Sequence, residues 1–267
     1  LNEHVLEDFG RNGGLYLTSI FRFPRLRALI SAPMSRRYGW RFRELEAEIV
    51  RNSPALNITY TPRSFQVYAG EFPQSRYAFV GASIDGCRHE PCELPEGGGP
   101  LVYISLGTEL NKSERFFRRC VEAFGGTGVR VVMAIGNSVR PENLGPLPPT
   151  MMVRSRVPQL EVLSQASLFI THGGMNSVNE ALFYGVPMLV VPVGNDQPTV
   201  ARRVEELGLG EALEIREATP NVLREAAMRV LSDRECHARL SEFRQETRSA
   251  GGNTKAAKLI IEQLNRV

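Results

Sequence analysis

The sequence SLFITHGGMNSVNEALFYGVPMLVVPV, residues 167–193, contains two apolar runs separated by a polar turn and an amphipathic stretch. The first run, SLFIT, ends at a histidine and two glycines, and MNSVNEALFY then places apolar residues at helical spacing. Gly185 and Pro187 end this helical pattern, and MLVVPV follows as the second run. The pattern predicts a strand, a helix and a second strand parallel to the first.

The same alternation extends over the chain from about Leu101. LVYISLG, VRVVMAIG and the weaker MMVRSRVP are typical of strands, whereas SERFFRRCVEAF, QLEVLSQA and PTVARRVEEL are typical of helices. Continuous apolar strands between amphipathic helices predict an α/β fold, a Rossmann-like doubly wound parallel sheet covered on both faces. Residues 221–267 predict two or three further helices with a break at residues 249–254.

The N-terminal part has a different organisation. ALNITYTP and YAFVGAS predict strands, a helix is expected over residues 40–52, and a Pro- and Gly-rich linker is expected over residues 85–100. Residues 1–84 are few for an independent α/β domain, so we expect the C-terminal part of a larger, incomplete domain there. Residues 101–267 are then the main domain. The start at Leu1 rather than Met favours a fragment.

Composition argues against several classes of protein. Lys+Arg of 32 against Asp+Glu of 29 gives a net charge of +3, too small to indicate nucleic-acid binding. Arginines cluster between Arg22 and Arg43, but Glu44, Glu46 and Glu48 follow at once, which favours a solvated face or an interface. No apolar run approaches the about 20 residues of a membrane span, and no secretory leader is present. No membrane or nucleic-acid partner is therefore expected.

Four cysteines, Cys87, Cys92, Cys120 and Cys236, do not make a disulfide framework in a chain of this size. They favour a reduced, cytoplasmic setting. The segment CRHEPC, with His89, offers at most three metal ligands and has no second pair at zinc-finger spacing. No metal site is therefore expected.

Polar segments follow three of the predicted strands, at the edge of a parallel sheet where ligands bind. They are SLGT (105–108), RVPQ (156–159) and THGGMNS (171–177). In the third, two glycines let the backbone approach a ligand closely, and a helix beginning near Met175 directs its N–H groups and its positive dipole end at that ligand. This environment favours a phosphate.

The remaining polar residues of this segment extend the interpretation. His172 can donate to a phosphate oxygen, and Asn176 and Ser177 add neutral donors. Glu180 lies one helical turn beyond Asn176, where a carboxylate suits a pair of sugar hydroxyls such as those of a ribose. The alternative is an ordinary helix start with glycines required by packing, which the joint presence of His172 and Glu180 disfavours.

The other segments are ambiguous when taken singly. SLGT offers backbone N–H groups and the Thr108 hydroxyl, or an ordinary turn. RVPQ places Arg156, whose guanidinium can stack on a base, and the Val157 backbone before a proline that is equally a helix start. Asp196 is a helix N-cap or, with Gln197, a grip for sugar hydroxyls. Only the combination indicates a nucleotide-sugar site.

Taken together, these segments resemble a known family. RVPQLEVLSQASLFITHGGMNSVNEALFYGVPMLVVPVGNDQP, residues 156–198, is similar to the donor-binding segment of UDP-sugar-dependent glycosyltransferases of the GT-B fold. The nearest resemblance is to the bacterial macrolide and flavonoid glucosyltransferases of family 1. It covers about residue 101 to the end, and residues 56–83 resemble the last strands of that family's N-terminal domain.

The resemblance implies an inverting O-glycosyltransferase of natural-product type, without a metal or other cofactor. Its co-substrate would be a UDP-sugar and its acceptor a small aromatic or macrocyclic molecule. Arg156 would stack on uracil, where many family members have tryptophan; the Val157 backbone would pair with the base edge, and Gln159 would lie nearby. Glu180 would take the ribose hydroxyls. The diphosphate would be held by Gly107, Thr108, His172, Gly174, Asn176 and Ser177, and the donor sugar by Asp196 and Gln197.

The family's general base is a histidine near the start of the N-terminal domain, oriented by an aspartate. No position here matches either residue, since His4 and His89 lack the family's context. We therefore expect a chain with the donor site but without the catalytic pair, completed by a missing N-terminal half or a second chain. Apolar residues between 15 and 34 are candidates for an acceptor wall, although helix core is the favoured interpretation.

Three other functions compete with this one. A donor-binding subunit or fragment, inactive without a separate acceptor half, fits the same residues. A nicotinamide-dependent dehydrogenase shares the sheet, but no G-x-G-x-x-G opens a helix after an early strand. A non-hydrolysing UDP-sugar epimerase shares the fold and a similar site, and the NDQ segment (195–197) favours transfer.

Overall fold

The structure is a computed structural model that describes residues 36, 55–84, 90–107 and 113–265. By its packing the chain divides into two units, residues 1–57 with 72–78 and residues 58–71 with 79–267. The predicted helix over residues 40–52 and the candidate acceptor residues 15–34 lie outside the described residues. Of the arginine cluster, the structure describes Arg36 alone. The domain boundary inferred from composition stays a prediction.

In the first unit the structure describes residues 36, 55–57 and 72–78. The Asn57 main-chain N–H donates to the Arg76 carbonyl at 2.7 Å. The rings of Phe72 and Tyr77 meet edge to face, with centroids 5.0 Å apart. The strand β1 (Asn57–Thr59) and the strand β2 (Tyr77–Phe79) lie inside the segments that the apolar pattern predicts as strands.

The second unit contains a six-stranded parallel sheet. Its strands are β3 (Leu101–Ser105), β4 (Arg130–Ala134), β5 (Met151–Arg154), β6 (Leu168–Thr171), β7 (Met188–Val190) and β8 (Gly210–Ala212). Their order is β5-β4-β3-β6-β7-β8, and Tyr103 of β3 lies beside Phe169 of β6 in the register. The chain reverses its direction of travel across the sheet between β3 and β6. Such a reversal opens a crevice at the carboxyl ends of the two strands, where open α/β sheets bind ligands.

Helices follow most of the strands and cover both faces of the sheet. They are α1 (Glu114–Phe124), α2 (Gln159–Gln165), α3 (Met175–Tyr184), α4 (Gln197–Glu206), α5 (Pro220–Ser232), α6 (Arg234–Ser249) and α7 (Gly252–Leu264). Short 3₁₀ turns lie at Arg63–Phe65, Ala69–Glu71 and Pro141–Leu144. The break between α6 and α7 falls inside the predicted 249–254 segment. No helix in the described ranges is long and apolar enough to cross a membrane.

Alternate side chains of the strands enter two separate cores. Ile104 and Met133 pack with residues of α1 and α5 on one face. Tyr103 and Val132 pack with residues of α2, α3, α4 and α6 on the other. Every residue of β3 is buried, which requires cover on both faces. The prediction of a doubly wound parallel sheet is confirmed.

The edge strand β8 is the element that the apolar pattern did not predict. Its sequence, Gly210–Glu211–Ala212, has no apolar run, and its three residues are only half-buried. Its pairing with β7 brings the backbones so close that a Cβ on Gly210 would lie 1.8 Å from the Met188 carbonyl oxygen. The strand exists because glycine permits this approach, and hydrophobic periodicity does not register such a requirement.

Residues 58–65, here named the 58–65 segment, run across the helices of the second core. The side-chain amide of Asn179, on α3, donates to the Tyr60 carbonyl at 2.8 Å. The guanidinium of Arg203, on α4, donates to the Phe65 carbonyl at 2.9 Å and to the Ser64 carbonyl at 3.0 Å. The segment therefore links the two helices that begin beside the crevice.

A third helix is joined to the same segment. The Glu246 carboxylate, on α6, accepts a hydrogen bond from the Ser64 main-chain N–H at 3.2 Å and another from the Ser64 hydroxyl. Phe65 is buried in the core that α3, α4 and α6 share. Although it precedes the sheet by about 40 residues of sequence, the 58–65 segment packs as part of the second unit.

Replacing Arg203 with Gln should lower the free energy of unfolding by about 1–3 kcal/mol, because two carbonyls of the 58–65 segment lose a charged donor. Urea denaturation measures this loss. The matched control is Arg118→Gln, whose side chain is 53% exposed and pairs with Glu114 one helical turn away. That exposed pair should contribute about 0.5 kcal/mol or less. Equal losses in the two variants would contradict the link.

Candidate functional site

A cavity of about 750 Å³ opens at the carboxyl ends of the central strands. All three polar segments identified in the sequence reach it, at the point where the strand order reverses. The predicted site residues that line it are Gly107, Arg156, Val157, Gln159, His172, Gly174, Asn176 and Ser177. Thr108 lies outside the described residues. Glu180, Asp196 and Gln197 lie beyond the lining and are considered separately below.

Helix α3 begins at the cavity. Its N-cap, Gly174, has φ −64° and ψ 136° and, as a glycine, has no side chain to accept from the N–H groups of the first turn. The N–H groups of a helix's first turn have no partner within the helix. Met175, Asn176 and Ser177, which form this turn, all line the cavity. The cavity therefore receives backbone donors and the positive end of a helix dipole, which together attract an anion.

The imidazole of His172 lies against two glycines. A Cβ added to Gly107 would lie 2.8 Å from His172 Nε2, and a Cβ added to Gly174 would lie 2.5 Å from it. Gly107 also has φ +78°, a conformation that favours glycine. The absent side chains leave room for the ring, so Nε2 lies where the loop after β3 meets the start of α3.

Burial decides the charge state of His172. Loss of hydration lowers the pKa of His172, and the negative charge of Asp196 opposes this by raising it. The buried Nδ1 atom has no hydrogen-bond partner among the described residues. The imidazole is therefore neutral at neutral pH and can carry its proton on the nitrogen that meets a ligand.

Glu180 connects to the cavity through Gln159. The Gln159 amide nitrogen donates to the Glu180 carboxylate and, at 3.4 Å, to the Ser177 hydroxyl. Burial raises the pKa of Glu180, and the hydrogen bond from Gln159 opposes this shift by lowering it. The carboxylate is thus held at the cavity edge by a neutral donor rather than by a cation.

One end of the cavity is formed between β5 and α2. Arg156 is exposed there, whereas Val157 is partly buried against the second core. Pro158 directly precedes α2 and serves as its N-cap residue. An exposed guanidinium beside a fixed backbone segment is free to lie flat on a heterocycle.

Asp196 and Gln197 adjoin the site without lining this cavity. Gln197 is buried, and its side-chain carbonyl accepts from the Val193 N–H at 2.7 Å and the Gly194 N–H at 3.0 Å. Asp196 is half-buried, precedes α4 and influences His172 through its charge. The Gln197 carbonyl therefore shapes the loop before α4, and Asp196 is the more accessible of the two.

The model of one protein family matches this chain over residues 118–263: erythromycin biosynthesis protein CIII-like, C-terminal domain. The chain belongs to this family, whose short name is EryCIII-like.

Relatives of this EryCIII-like chain extend the comparison. NDP-glycosyltransferase YjiC of Bacillus licheniformis is 43% identical over 76% of this chain and 52% of its own length. Demethyllactenocin mycarosyltransferase of Streptomyces fradiae is 40% identical over 80% of this chain and 46% of its own. The chain thus spans about half the length of these curated relatives.

A solved structure agrees over more of the chain. The crystal structure of CalG4, the calicheamicin glycosyltransferase, is 32% identical with a TM-score of 0.81. The match covers 100% of this chain and 67% of that one. The fold of the EryCIII-like chain is therefore of the GT-B type, and the resemblance to family 1 glycosyltransferases is confirmed.

Several lining residues of the EryCIII-like chain were not predicted. They are Tyr103, Ala134, Gly136, Asn137, Ser138 and Ser155, whereas Ser105 and Met175 belong to the predicted segments SLGT and THGGMNS but had no assigned role. Gly136 has φ +69° and ends the run VRVVMAIG, just as Gly107 ends LVYISLG. The glycine after that strand was therefore an available signal, whereas nothing local indicates that a strand tyrosine reaches the cavity.

The sequence expectation about metals concerned Cys87, His89 and Cys92. The first two lie outside the described residues, and Cys92, Cys120 and Cys236 are free thiols. In the ranges that the structure describes, no three His, Cys, Asp or Glu side chains are grouped so that they could hold a metal ion.

The pKa of His172 should lie below that of an ordinary histidine, and Asp196→Asn should lower it further, because the variant removes a negative charge that favours the imidazolium. Between the folded value and about 6.5, unfolding takes up a proton, so this residue's contribution to stability falls as pH drops through that window. NMR titration of the imidazole signals, assigned with His172→Gln, measures both effects. An unchanged His172 pKa in Asp196→Asn would contradict the arrangement.

Proposed function

We propose that this chain supplies the donor site for the inverting transfer of a sugar from a UDP-sugar to a hydroxyl of a small-molecule acceptor. One observation carries the proposal. At the crevice between β3 and β6, the His172 imidazole packs against Gly107 and Gly174 at the start of α3, and Glu180 lies one helical turn beyond Asn176. Such a site combines hydrogen-bond donors for an anion with a carboxylate that can accept from sugar hydroxyls.

The diphosphate would occupy the glycine end of the cavity. The N–H groups at the start of α3, with Asn176 and Ser177, supply neutral donors, and the loop of Gly107 and Thr108 supplies more. His172 Nε2 donates from the side that faces both glycines. The start of α3 and the His172 imidazole are in place before the ligand arrives, so they would stabilise the charge that develops on UDP as it leaves.

The nucleoside would lie along the other end. Arg156 stacks on uracil and the Val157 backbone pairs with the base edge, while Gln159 and Glu180 meet the ribose. Burial raises the pKa of Glu180. Because little water competes for this carboxylate, its hydrogen bond from a ribose hydroxyl is stronger than the same bond to an exposed carboxylate. Asp196 and Gln197 would hold the donor sugar.

The reaction then needs groups from beyond the donor site. A general base takes the proton of the acceptor hydroxyl as its oxygen attacks the anomeric carbon, on the face opposite the departing UDP. We propose that a histidine–aspartate pair on a further N-terminal segment or a second chain supplies this base, without a metal. The name demethyllactenocin mycarosyltransferase, carried by one relative, indicates sugar transfer to a small molecule. For this chain we propose a small aromatic or macrocyclic acceptor.

A second candidate is a donor-binding subunit or fragment that is inactive alone. The chain spans about half the length of its curated relatives. Both candidates share the donor site and predict nucleotide binding, and they differ only in where the acceptor half comes from. The free thiols of Cys92, Cys120 and Cys236 support a cytoplasmic setting for either.

UDP should bind to the 267-residue chain in a calorimetric titration, whereas AMP and NAD should not. Glu180→Ala removes a charged acceptor of hydrogen bonds and should raise the Kd about 10- to 100-fold; His172→Ala should raise it about tenfold. The matched controls are Glu217→Ala and His237→Ala, which lie outside the cavity and should leave the Kd unchanged. Absence of UDP binding by the folded chain would sink the proposal.

Asp196→Ala should separate sugar contacts from nucleotide contacts. If this carboxylate holds sugar hydroxyls, the variant should bind UDP-glucose about tenfold more weakly than the parent chain does, while the Kd of UDP changes by less than about threefold. Calorimetry with both ligands measures this. If the variant bound both ligands equally more weakly, Asp196 would act on His172 and the diphosphate rather than on the sugar.

A further inference from the structure

We propose that Tyr103 is a positioning residue of the donor site: its hydroxyl anchors the Gln159 amide, and through that amide it fixes the place of Glu180 and Ser177. The inference rests on the proposed function and deepens it. No role for Tyr103 follows from its sequence context, where it occupies the middle of an apolar strand.

The sheet holds the Tyr103 ring in place. The residue lies in the central strand β3 and is 1% exposed. Its ring stacks on Phe169, its register partner on β6, with centroids 4.8 Å apart and planes 9° from parallel. The position of the hydroxyl is therefore determined by two paired strands, which are more rigid than the loops of Gly107 and Arg156 that also line the cavity.

The hydroxyl lies at the floor of the cavity and joins a chain of hydrogen bonds. It donates to the Gln159 side-chain carbonyl at 2.9 Å. Ser105 lies two residues further along the same face of β3, and its hydroxyl accepts from the Gly107 N–H at 3.4 Å. The Tyr103 hydroxyl thus adjoins the loop proposed for the diphosphate and is bonded to Gln159 at the nucleoside end.

The direction of the Gln159 amide follows from these partners. Its oxygen accepts from Tyr103, so its nitrogen faces Glu180 and Ser177, to both of which it donates. An ionised carboxylate only accepts hydrogen bonds, and a turned amide would present an oxygen to it. The Glu180 carboxylate therefore selects this orientation, and the Tyr103 hydroxyl anchors it by donating to the amide oxygen.

The Tyr103 hydroxyl affects two groups that would contact the donor, Gln159 and Glu180. Glu180 is ready for the ribose only while the Gln159 nitrogen holds it, and Gln159 is held in turn from the floor of the sheet. The Tyr103 hydroxyl thus links the central strand to RVPQ and, through the Gln159 amide, to Ser177 of THGGMNS, segments that are far apart in the sequence.

The test is Tyr103→Phe, which keeps the ring stacked on Phe169 and removes only the hydroxyl. The Kd of UDP should rise about five- to tenfold, the cost of one lost hydrogen bond in a coupled set. The Kd of 2′,3′-dideoxy-UDP, which lacks the hydroxyls that Glu180 would take, should rise less than about twofold. Calorimetry on the folded chain measures both ligands.

The matched control is Tyr184→Phe. Tyr184 is packed against the same core, at the far end of α3, and does not line the cavity. It should leave both Kd values unchanged. In a Gln159→Leu background, Tyr103→Phe should add nothing further, because residues in one network are not additive. Equal losses for the two nucleotides, or an additional loss in that background, would overturn the positioning role.

The outcomes separate this inference from the proposed function. If Glu180→Ala weakens UDP and Tyr103→Phe does not, the donor site stands and the role of Tyr103 falls. If neither variant affects UDP binding, both fall. A measurement without ligand adds a check: the side-chain amide signals of Gln159 in a ¹⁵N spectrum should shift in Tyr103→Phe and stay in place in Tyr184→Phe. Unshifted signals would overturn the inference by themselves.

Discussion

The pairing of β3 with β6 is the constraint on which the rest of the molecule depends. These strands lie at the centre of the sheet, and the strand order reverses between them. Their carboxyl ends therefore bring the loop of Gly107 beside the turn of His172 and Gly174. The imidazole occupies space that a Cβ on either glycine would fill, so the sheet register and the site geometry determine each other.

The polar groups beneath the cavity show how a buried site keeps its hydrogen bonds without charge pairing. Tyr103, Ser105 and Gln159 are neutral, and they bring a partly buried carboxylate to the ligand side. Burial raises the pKa of Glu180 and lowers that of His172, because loss of hydration disfavours the charged form of each group.

Periodicity predicted the elements that bury continuous apolar surface, such as β6 and α3, because burial dictates their composition. It did not predict β8, where the constraint is the close approach of Gly210 to Met188. The segments of the site were also predictable, since glycines, a histidine and a carboxylate follow one strand. Their partners were not: Tyr103 resembles a core residue, and Gln197 turns its carbonyl to Val193 and Gly194.

By itself, the sequence determined the doubly wound class of the fold, the family resemblance and the segments that carry the site, because local composition and spacing encode them. Only the tertiary structure decided which segments meet. The 58–65 segment joins Asn179 and Arg203, residues more than a hundred positions away, and Tyr103 reaches Gln159 across the sheet edge. Such contacts depend on strand order and register, which are properties of the whole packed sheet and leave no local mark.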